Sequence, residues 1–365
     1  MDTSFLDGDR LHAYGYSPFH RGHFEALLGR SGDGAADLEP ARVLFTSREQ
    51  LRVMTGSGDL PAALAGHFHD PGAERPAVGD FVAITGGSTA VVRHLLPRRT
   101  CISRKVSGDV TREQVVAANV DTIFLVMGLD GDYNLRRLER FTVLARESGA
   151  DPVVVLSKAD LCDDAFGPRL DAQQAAPGMP VYAVSSLADQ GLDALEAHLG
   201  PGRTVALLGS SGAGKSTLIN RLAGREVMRT GAVRSGDDRG RHTTTHRELV
   251  PLPDGGLLLD NPGIRELQLW AGGDALDEAF GDIEELAKGC RFNDCTHRDE
   301  PGCAVLAAVS AGELDPRRLE NWRGLVREIE SLERRKDVAA RRRQDKKTGK
   351  LYKRMIAAKR SRQRR

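Results

Sequence analysis

TVALLGSSGAGKSTLIN, residues 204–220, reads as a buried strand, a glycine-rich loop and the first turns of a helix. Gly209, four residues, Gly214, Lys215 and Ser216 have the spacing of a phosphate-binding loop. Its glycines let the backbone curl so that the N–H groups of Ser210, Ser211, Gly212, Ala213 and Gly214 point at phosphate oxygens. Lys215 is placed to neutralise β- and γ-phosphates. Ser216 can hold Mg²⁺, and Thr217 belongs to the same nucleotide-contacting run. Upstream, VVVLSKADL at 153–161 ends a second buried strand in Ser157, Lys158, Ala159 and Asp160. There Asp160 can accept from the N1–H and exocyclic amine of guanine, with Lys158 packed over the base. VYAVSS, 181–186, ends the next strand in Ser185 and Ser186, where a backbone N–H can meet the guanine oxygen. A base-reading motif ordinarily follows the phosphate loop. Here it precedes it.

The segments after the loop restore the logic. GGLLLDNPG, 255–263, ends an apolar strand in Asp260, which can reach Mg²⁺ through water, and Gly263 can offer its N–H to a γ-phosphate. Between loop and strand, GRHTTTHREL at 240–249 supplies the threonine that completes a Mg²⁺ shell, Thr244 or Thr245. Read in a circle, the order is phosphate loop, threonine segment, DxPG, SKAD, VSS and back to the loop. This is the order of a GTPase domain whose old ends are joined through GLDALEAHL and GPGRT and whose new ends fall after DxPG. Domain termini commonly lie close together, which is why permutation is tolerated.

The elements around these motifs agree. DTIFLVM is a continuous apolar run, and NLRRLERFTVLARESGA puts Leu135, Leu138, Phe141, Leu144 and Ala145 on one helical face. PVVVL, VYAVSS, TVALL and GLLLD alternate with helical segments, as in a parallel sheet covered on both faces. The chain therefore divides into a 1–38 extension, a barrel of short strands over 39–106, the α/β domain over 107–272, a helical domain over 273–333 and a tail from 334. ARVLF, EQLRVM, GDFVAITGG and TAVVRHLL predict a small antiparallel barrel. Its last strands carry Arg93, His94, Arg98, Arg99, Arg104 and Lys105, a cluster that fits contact with phosphates and a solvated edge equally well.

The net charge of +1 conceals an asymmetry. Of 52 Lys/Arg and 51 Asp/Glu, residues 334–365 hold 16 and 2. A basic tail on an acidic body points to nucleic acid or another polyanion as partner. No apolar run reaches the length of a membrane span, and the N-terminus lacks the pattern of a secretory signal. The expectation is a cytoplasmic protein with no membrane partner, acting as a monomer. Five cysteines in such a chain do not imply a disulfide scaffold. Four residues of CRFNDCTHRDEPGC, Cys290, Cys295, His297 and Cys303, instead form a Cys₃His set within fourteen positions, the composition of a closed structural zinc site holding one Zn²⁺. Cys101 and Cys162 read as ordinary buried thiols.

With the permuted order, RHTTT and this cysteine–histidine set, the chain resembles the ribosome small-subunit-dependent GTPase A family (RsgA, also YjeQ) over roughly residues 39–333. The resemblance implies an N-terminal OB-fold, a circularly permuted P-loop GTPase domain, a C-terminal zinc domain, and hydrolysis of GTP to GDP in late maturation of the small ribosomal subunit, with that subunit and its rRNA as partners. Two positions depart from the family's wording: Ser157 stands where Asn is usual, and Asn261 where Thr is usual. The water-orienting glutamine of other GTPases would follow Gly263, but Ile264 is there. His242, beside the threonines, is the candidate for placing the water, and the resemblance points the same way. Two rivals remain: an RNA-binding assembly factor in which nucleotide is mainly structural, and a P-loop ATPase, against which Asp160 argues.

Overall fold

The computed structural model describes residues 7–30, 37–47, 49–70, 72–87, 89–106, 112–228, 247–260 and 273–334. The chain forms two units, Met1–Ser103 with Val115–Leu267, and Arg104–Gln114 with Gln268–Arg365.

In the first unit, strands β1 (Leu38–Thr46), β2 (Leu51–Met54), β3 (Asp59–Leu64), β4 (Phe81–Thr85) and β5 (Ala90–Leu95) pair in the order β1-β2-β3-β5-β4 and close through β1–β4. This is a five-stranded barrel with the strand order of an OB-fold. It is not wholly antiparallel as the strand spacing suggested, because β3 and β5 run parallel. Alternate residues fill the barrel, among them Ala41 and Val43, Val82 and Ile84, Ala90 and Val92. The opposite face of β4 presents Phe81 and Ala83, which pack against Leu11, Tyr16 and Phe24. Those three belong to the hairpin of helices α1 (Asp7–Ala13) and α2 (Pro18–Arg30). Strands β6 (Cys101–Val106) and β7 (Arg112–Ala118) then pair as a separate ribbon.

The α/β part comprises β8 (Thr122–Gly128), α3 (Leu135–Ser148), β9 (Asp151–Ser157), α4 (Phe166–Ala175), β10 (Val181–Ala183), α5 (Asp193–Glu196), β11 (Thr204–Leu208), α6 (Lys215–Ala223), β12 (Arg247–Pro251) and β13 (Leu257–Asp260). All seven residues of β8 and all five of β11 are buried, which is why they are uniformly apolar or small. Asn134 starts α3 by accepting from the Arg137 N–H, and Gly149 ends it at φ 78°. GLDALEAHL is less helical than its pattern predicts. α5 is one turn long, and the chain leaves it through Gly200-Pro201-Gly202 with only Leu195 and Leu199 buried from the segment.

The strand order is β10-β9-β8-β11-β13-β12, parallel except for β12. The chain enters this sheet at β8 and visits β11, the strand before the phosphate loop, fourth. β12 also pairs antiparallel with β1, Phe45 opposite Glu248, so the barrel and the α/β sheet are one hydrogen-bonded surface. Fully buried Arg42 reinforces the joint. Its guanidinium donates to Tyr14 O (2.6 Å), Gly79 O (3.2 Å) and Asn119 O (2.9 Å) and lies 4.9 Å from the Phe81 ring centre. Those carbonyls come from the helical hairpin, the barrel and the entry to β8.

The second unit contains α7 (Gly273–Ala279), α8 (Gly281–Ala287), α9 (Ala304–Ala311) and a helix over 316–334. Phe280, Ile283, Val305, Leu314, Leu319 and Ile329 are buried. Arg318 binds Asp282 with two bonds of 2.7 Å and stacks on Phe280. Among the described residues, no helix is long and apolar enough to cross a membrane.

Candidate functional site

The phosphate loop joins β11 to α6 at the carboxyl edge of the parallel sheet, where ligands of open α/β folds bind. Two glycines are required by geometry. A Cβ at Gly209 would stand 2.3 Å from Val126 O, and Gly214 has φ +85° with its hypothetical Cβ 3.3 Å from Ser157 Oγ. Lys215 is buried, and its Nζ donates to Gly209 O at 2.7 Å and to Ser210 O, so the ammonium lies against the loop's own carbonyls. Ser216 and Thr217 occupy the first turn of α6 and are half-buried.

The SKAD segment meets this loop directly. Ser157 ends β9 beside β8, which itself neighbours β11. Its buried Oγ donates to Ala213 O at 2.6 Å. Lys158 adopts a left-handed φ of +59°, which turns the chain into a 3₁₀ turn over Ala159–Leu161. Asp160 Oδ1 accepts from Ser185 Oγ, Ala159 N donates to Val184 O at 3.0 Å, and Ser185 Oγ accepts from Ala188 N at 3.0 Å. SKAD and VSS are thus one hydrogen-bonded corner, with Ser186 half-buried at its turn.

Asp260 is the last residue of β13 and pairs with Glu248, at the same end of the sheet as the phosphate loop. His242, Thr244, Thr245, Asn261, Gly263 and Ile264 lie outside the described residues, as does the 335–365 part of the basic tail. Two residues absent from the sequence reading touch the motifs. Asp130 Oδ2 is 2.5 Å from Lys158 Nζ, and Asp132 accepts from Ser210 Oγ at 2.6 Å. The signal available was the acidic pair in GLDGD, directly after the buried strand. Of the basic cluster on the barrel's last strands, Arg98 is turned inward. It forks onto buried Asp80 at 2.6 and 2.7 Å and also meets Glu74; burial works against its charge, but Asp80 above all, with Glu74, raises its pKa above the ordinary range. Arg104 binds Gln114, whereas His94 stays exposed.

In the second unit the predicted cysteine–histidine set is assembled. Ligand atoms of Cys290, Cys295, His297 and Cys303 all lie within 4.8 Å of one another. Cys290 Sγ is 3.8 Å from Cys303 Sγ, and His297 Nδ1 is 3.5 and 3.4 Å from the two sulfurs. A tetrahedron with Zn–S bonds of ~2.3 Å has edges of about 3.8 Å, so the donors present fit Zn²⁺. His297 reaches the set from a left-handed φ of +55°, and its ring packs on Trp322 at 5.5 Å. Glu300 braces the loop, accepting from Thr296 Oγ1, Thr296 N (2.9 Å) and Arg298 N (2.8 Å), bonds that hold its carboxyl well below the usual range. Cys303 Sγ also accepts from Leu306 N and so starts α9. Cys101 and Cys162 are elsewhere and half-buried.

A family model described as RsgA GTPase matches residues 95–270. The small ribosomal subunit biogenesis GTPase RsgA of Opitutus terrae is 44% identical over 357 residues, covering 94% of this chain and 96% of its own. The chain belongs to the RsgA GTPase family. Among solved structures, YjeQ from Thermotoga maritima matches with a TM-score of 0.61 at 25% identity, over 80% of this chain and 98% of its own. YloQ, described as a circularly permuted GTPase, matches in fold with a TM-score of 0.58 at 24% identity, over 81% of this chain and 96% of its own. As an RsgA-family member the protein is a GTP hydrolase and takes a guanine nucleotide. The permuted connectivity inferred from motif order is the connectivity the strands have. In this RsgA-family domain Ser157 ties the end of β9 to the phosphate loop.

Proposed function

We propose that this GTP hydrolase acts in maturation of the small ribosomal subunit, as a cytoplasmic monomer that binds the subunit's rRNA and uses hydrolysis as a release signal. The observation carrying the proposal is the joined edge. Phosphate loop, SKAD and VSS meet at one end of one sheet through Ser157 Oγ–Ala213 O and Asp160–Ser185. Asp160 accepts from the guanine edge, Lys158 covers the base, and backbone N–H groups at Ser185 and Ser186 meet the guanine oxygen. N–H groups of residues 209–214 and the Lys215 ammonium receive the phosphates and stabilise the charge that develops in the transition state. When bound, Mg²⁺ supplies further neutralisation of the phosphates, with Ser216, Asp260 and Thr244 or Thr245 as its protein partners. Gly263 N–H meets the γ-phosphate, and His242 orients the attacking water in place of the missing glutamine. One Zn²⁺ on Cys290, Cys295, His297 and Cys303 organises the second unit.

GTP turnover measured with and without purified small ribosomal subunits tests this reading. The expected outcome is slow turnover alone and strong stimulation by subunits, with both lost in Lys215→Ala. Turnover indifferent to subunits would favour an assembly factor in which nucleotide is only structural. Near-normal turnover in Lys215→Ala would remove the phosphate-loop assignment.

A further inference from the structure

The loop between β8 and α3 belongs to none of the nucleotide motifs, yet it is bonded to two of them. Asp132 takes Ser210 Oγ on both carboxylate oxygens at 2.6 Å, and Arg137 at 2.6 Å. This fastens the loop to the phosphate loop. Leu129 N donates to Ser157 O at 2.8 Å, which fastens it to the base-reading strand. Between these anchors stands Asp130. Its Oδ1 accepts from Asp132 N at 3.0 Å, and its Oδ2 holds Lys158 Nζ at 2.5 Å. Lys158, bonded this way, keeps the Asp130 carboxyl below the usual range. The approach is tight: a Cβ on Gly128 would lie 2.6 Å from Asp130 Oδ1 and 3.5 Å from Lys158 Cδ. Lys158 Cε in turn passes 3.9 Å from where a Cβ on Gly214 would be. The lysine stem therefore runs alongside the end of the phosphate loop, where it enters α6, with its head fixed by Asp130.

A free lysine head on a flexible stem loses rotamer freedom when a ligand orders it, and that loss reduces affinity. A carboxylate that orders the head beforehand removes this cost. Neutralising the head locally also keeps it from competing for the loop carbonyls. We propose that Asp130 is a positioning residue for guanine recognition: it fixes the Lys158 ammonium so that the methylene stem forms one wall of the base pocket, while Asp132 anchors the loop on Ser210. The proposal rests on the assignment of Lys158 to the base.

The test is equilibrium binding of GDP and of inorganic pyrophosphate to the full chain, for wild type, Asp130→Ala, Lys158→Met and the double variant. Met keeps an apolar stem and removes the charged head. Asp130→Ala and Lys158→Met should each weaken GDP binding by about fivefold to tenfold, the range for one partly exposed charge-assisted contact. The double variant should be no weaker than Lys158→Met alone, because Asp130 acts through that head. Pyrophosphate binding should be unchanged in all three, which a merely damaged phosphate loop would not allow. Asp130→Asn, which keeps an acceptor without the charge, should fall between wild type and Asp130→Ala, and covers the case in which Asp130→Ala folds poorly. Unchanged GDP binding in Lys158→Met would overturn the base assignment of Lys158 and this proposal with it. A weakened Lys158→Met beside a normal Asp130→Ala and Asp130→Asn, or two effects that multiply in the double variant, would overturn the proposal alone.

Discussion

Ser157 has one proton to donate, and the structure directs it to the phosphate loop. The distance to Ala213 O is 2.6 Å, against 3.4 Å to Met127 O. An asparagine at this position would have two N–H donors and an acceptor. The serine can brace the loop but has no further donor for the nucleotide. Its removal leaves a buried carbonyl unpaired, which typically costs about 1–3 kcal/mol. Ser157→Ala should therefore weaken GDP binding by roughly tenfold, through a less ordered loop. The preference for GTP over ATP should persist, since Asp160 and Ser185 are untouched. Competitive titration with both nucleotides measures the two effects together. Binding within twofold of wild type would disconnect Ser157 from the loop. At this scale the motifs were legible because their chemistry is local: glycine spacing, a lysine and a strand–helix frame lie in one short run. Asp130 and Asp132 were not legible. Their partners are 28 and 78 residues away, and GLDGD by itself is only a turn.

Elements with a clean period were readable and elements without one were not. β8 is apolar throughout and α3 carries its stripe, so both follow from sequence. β3 contains Pro61 and alternates only between exposed and half-buried, and the strand spacing passes over it. α2 was hidden because its buried residues are His20 and Phe24, one of them polar. His20 lies 4.0 Å from the Phe81 ring centre. Its Nδ1 accepts from Ser17 N at 3.4 Å, and its Nε2 is 3.3 Å from Asn119 Oδ1, which also accepts from Arg99 N. This is a site for neutral imidazole. Burial, with Arg42, Arg99 and His23 nearby, lowers its pKa to about 4, against the opposing pull of Asn119. The unfolded chain binds that proton near pH 6.5, so between pH 6.5 and about 4 the unfolded state holds more protons and stability falls as pH falls. Above pH 6.5 the term vanishes. At pH 5.5 it should amount to on the order of 1 kcal/mol after allowance for screening. Melting at pH 7.5 and pH 5.5 should show wild type losing more on acidification than His20→Gln, which starts lower but carries no proton. Equal acid losses in the two proteins would leave the docking of α2 indifferent to His20 protonation.

At the scale of the molecule, motif order exposed the permutation, but the joining of barrel to sheet through β1 and β12 did not show, since those strands are some two hundred residues apart and their pairing is a meeting of edges. The buried Arg42 at the same joint was equally hidden, because its acceptors are backbone carbonyls from three segments. The division into two units has a consequence for metal dependence. Every described side chain proposed to meet the nucleotide falls in the first unit, and the Cys₃His set falls in the second. Residues 289–303 contain no helix or strand, and within them only Cys303 and His297 are buried. Apolar burial cannot fix such a loop, whereas a tetrahedral ion binding four donors can, and its binding free energy becomes folding free energy for the helices that follow. Purified protein should contain about one zinc per chain. A strong chelator should lower the melting transition of the second unit and expose Trp322, which packs on His297. GDP affinity should change by less than about twofold, because all four donors belong to the second unit. Metal analysis, tryptophan fluorescence during melting and GDP titration, each with and without chelator, check the three parts. A protein that holds no zinc and whose tryptophan-reported melting ignores the chelator would make the cluster a set of packed thiols around a histidine. A parallel collapse of GDP binding would instead mean that the first unit needs the second in order to hold its fold.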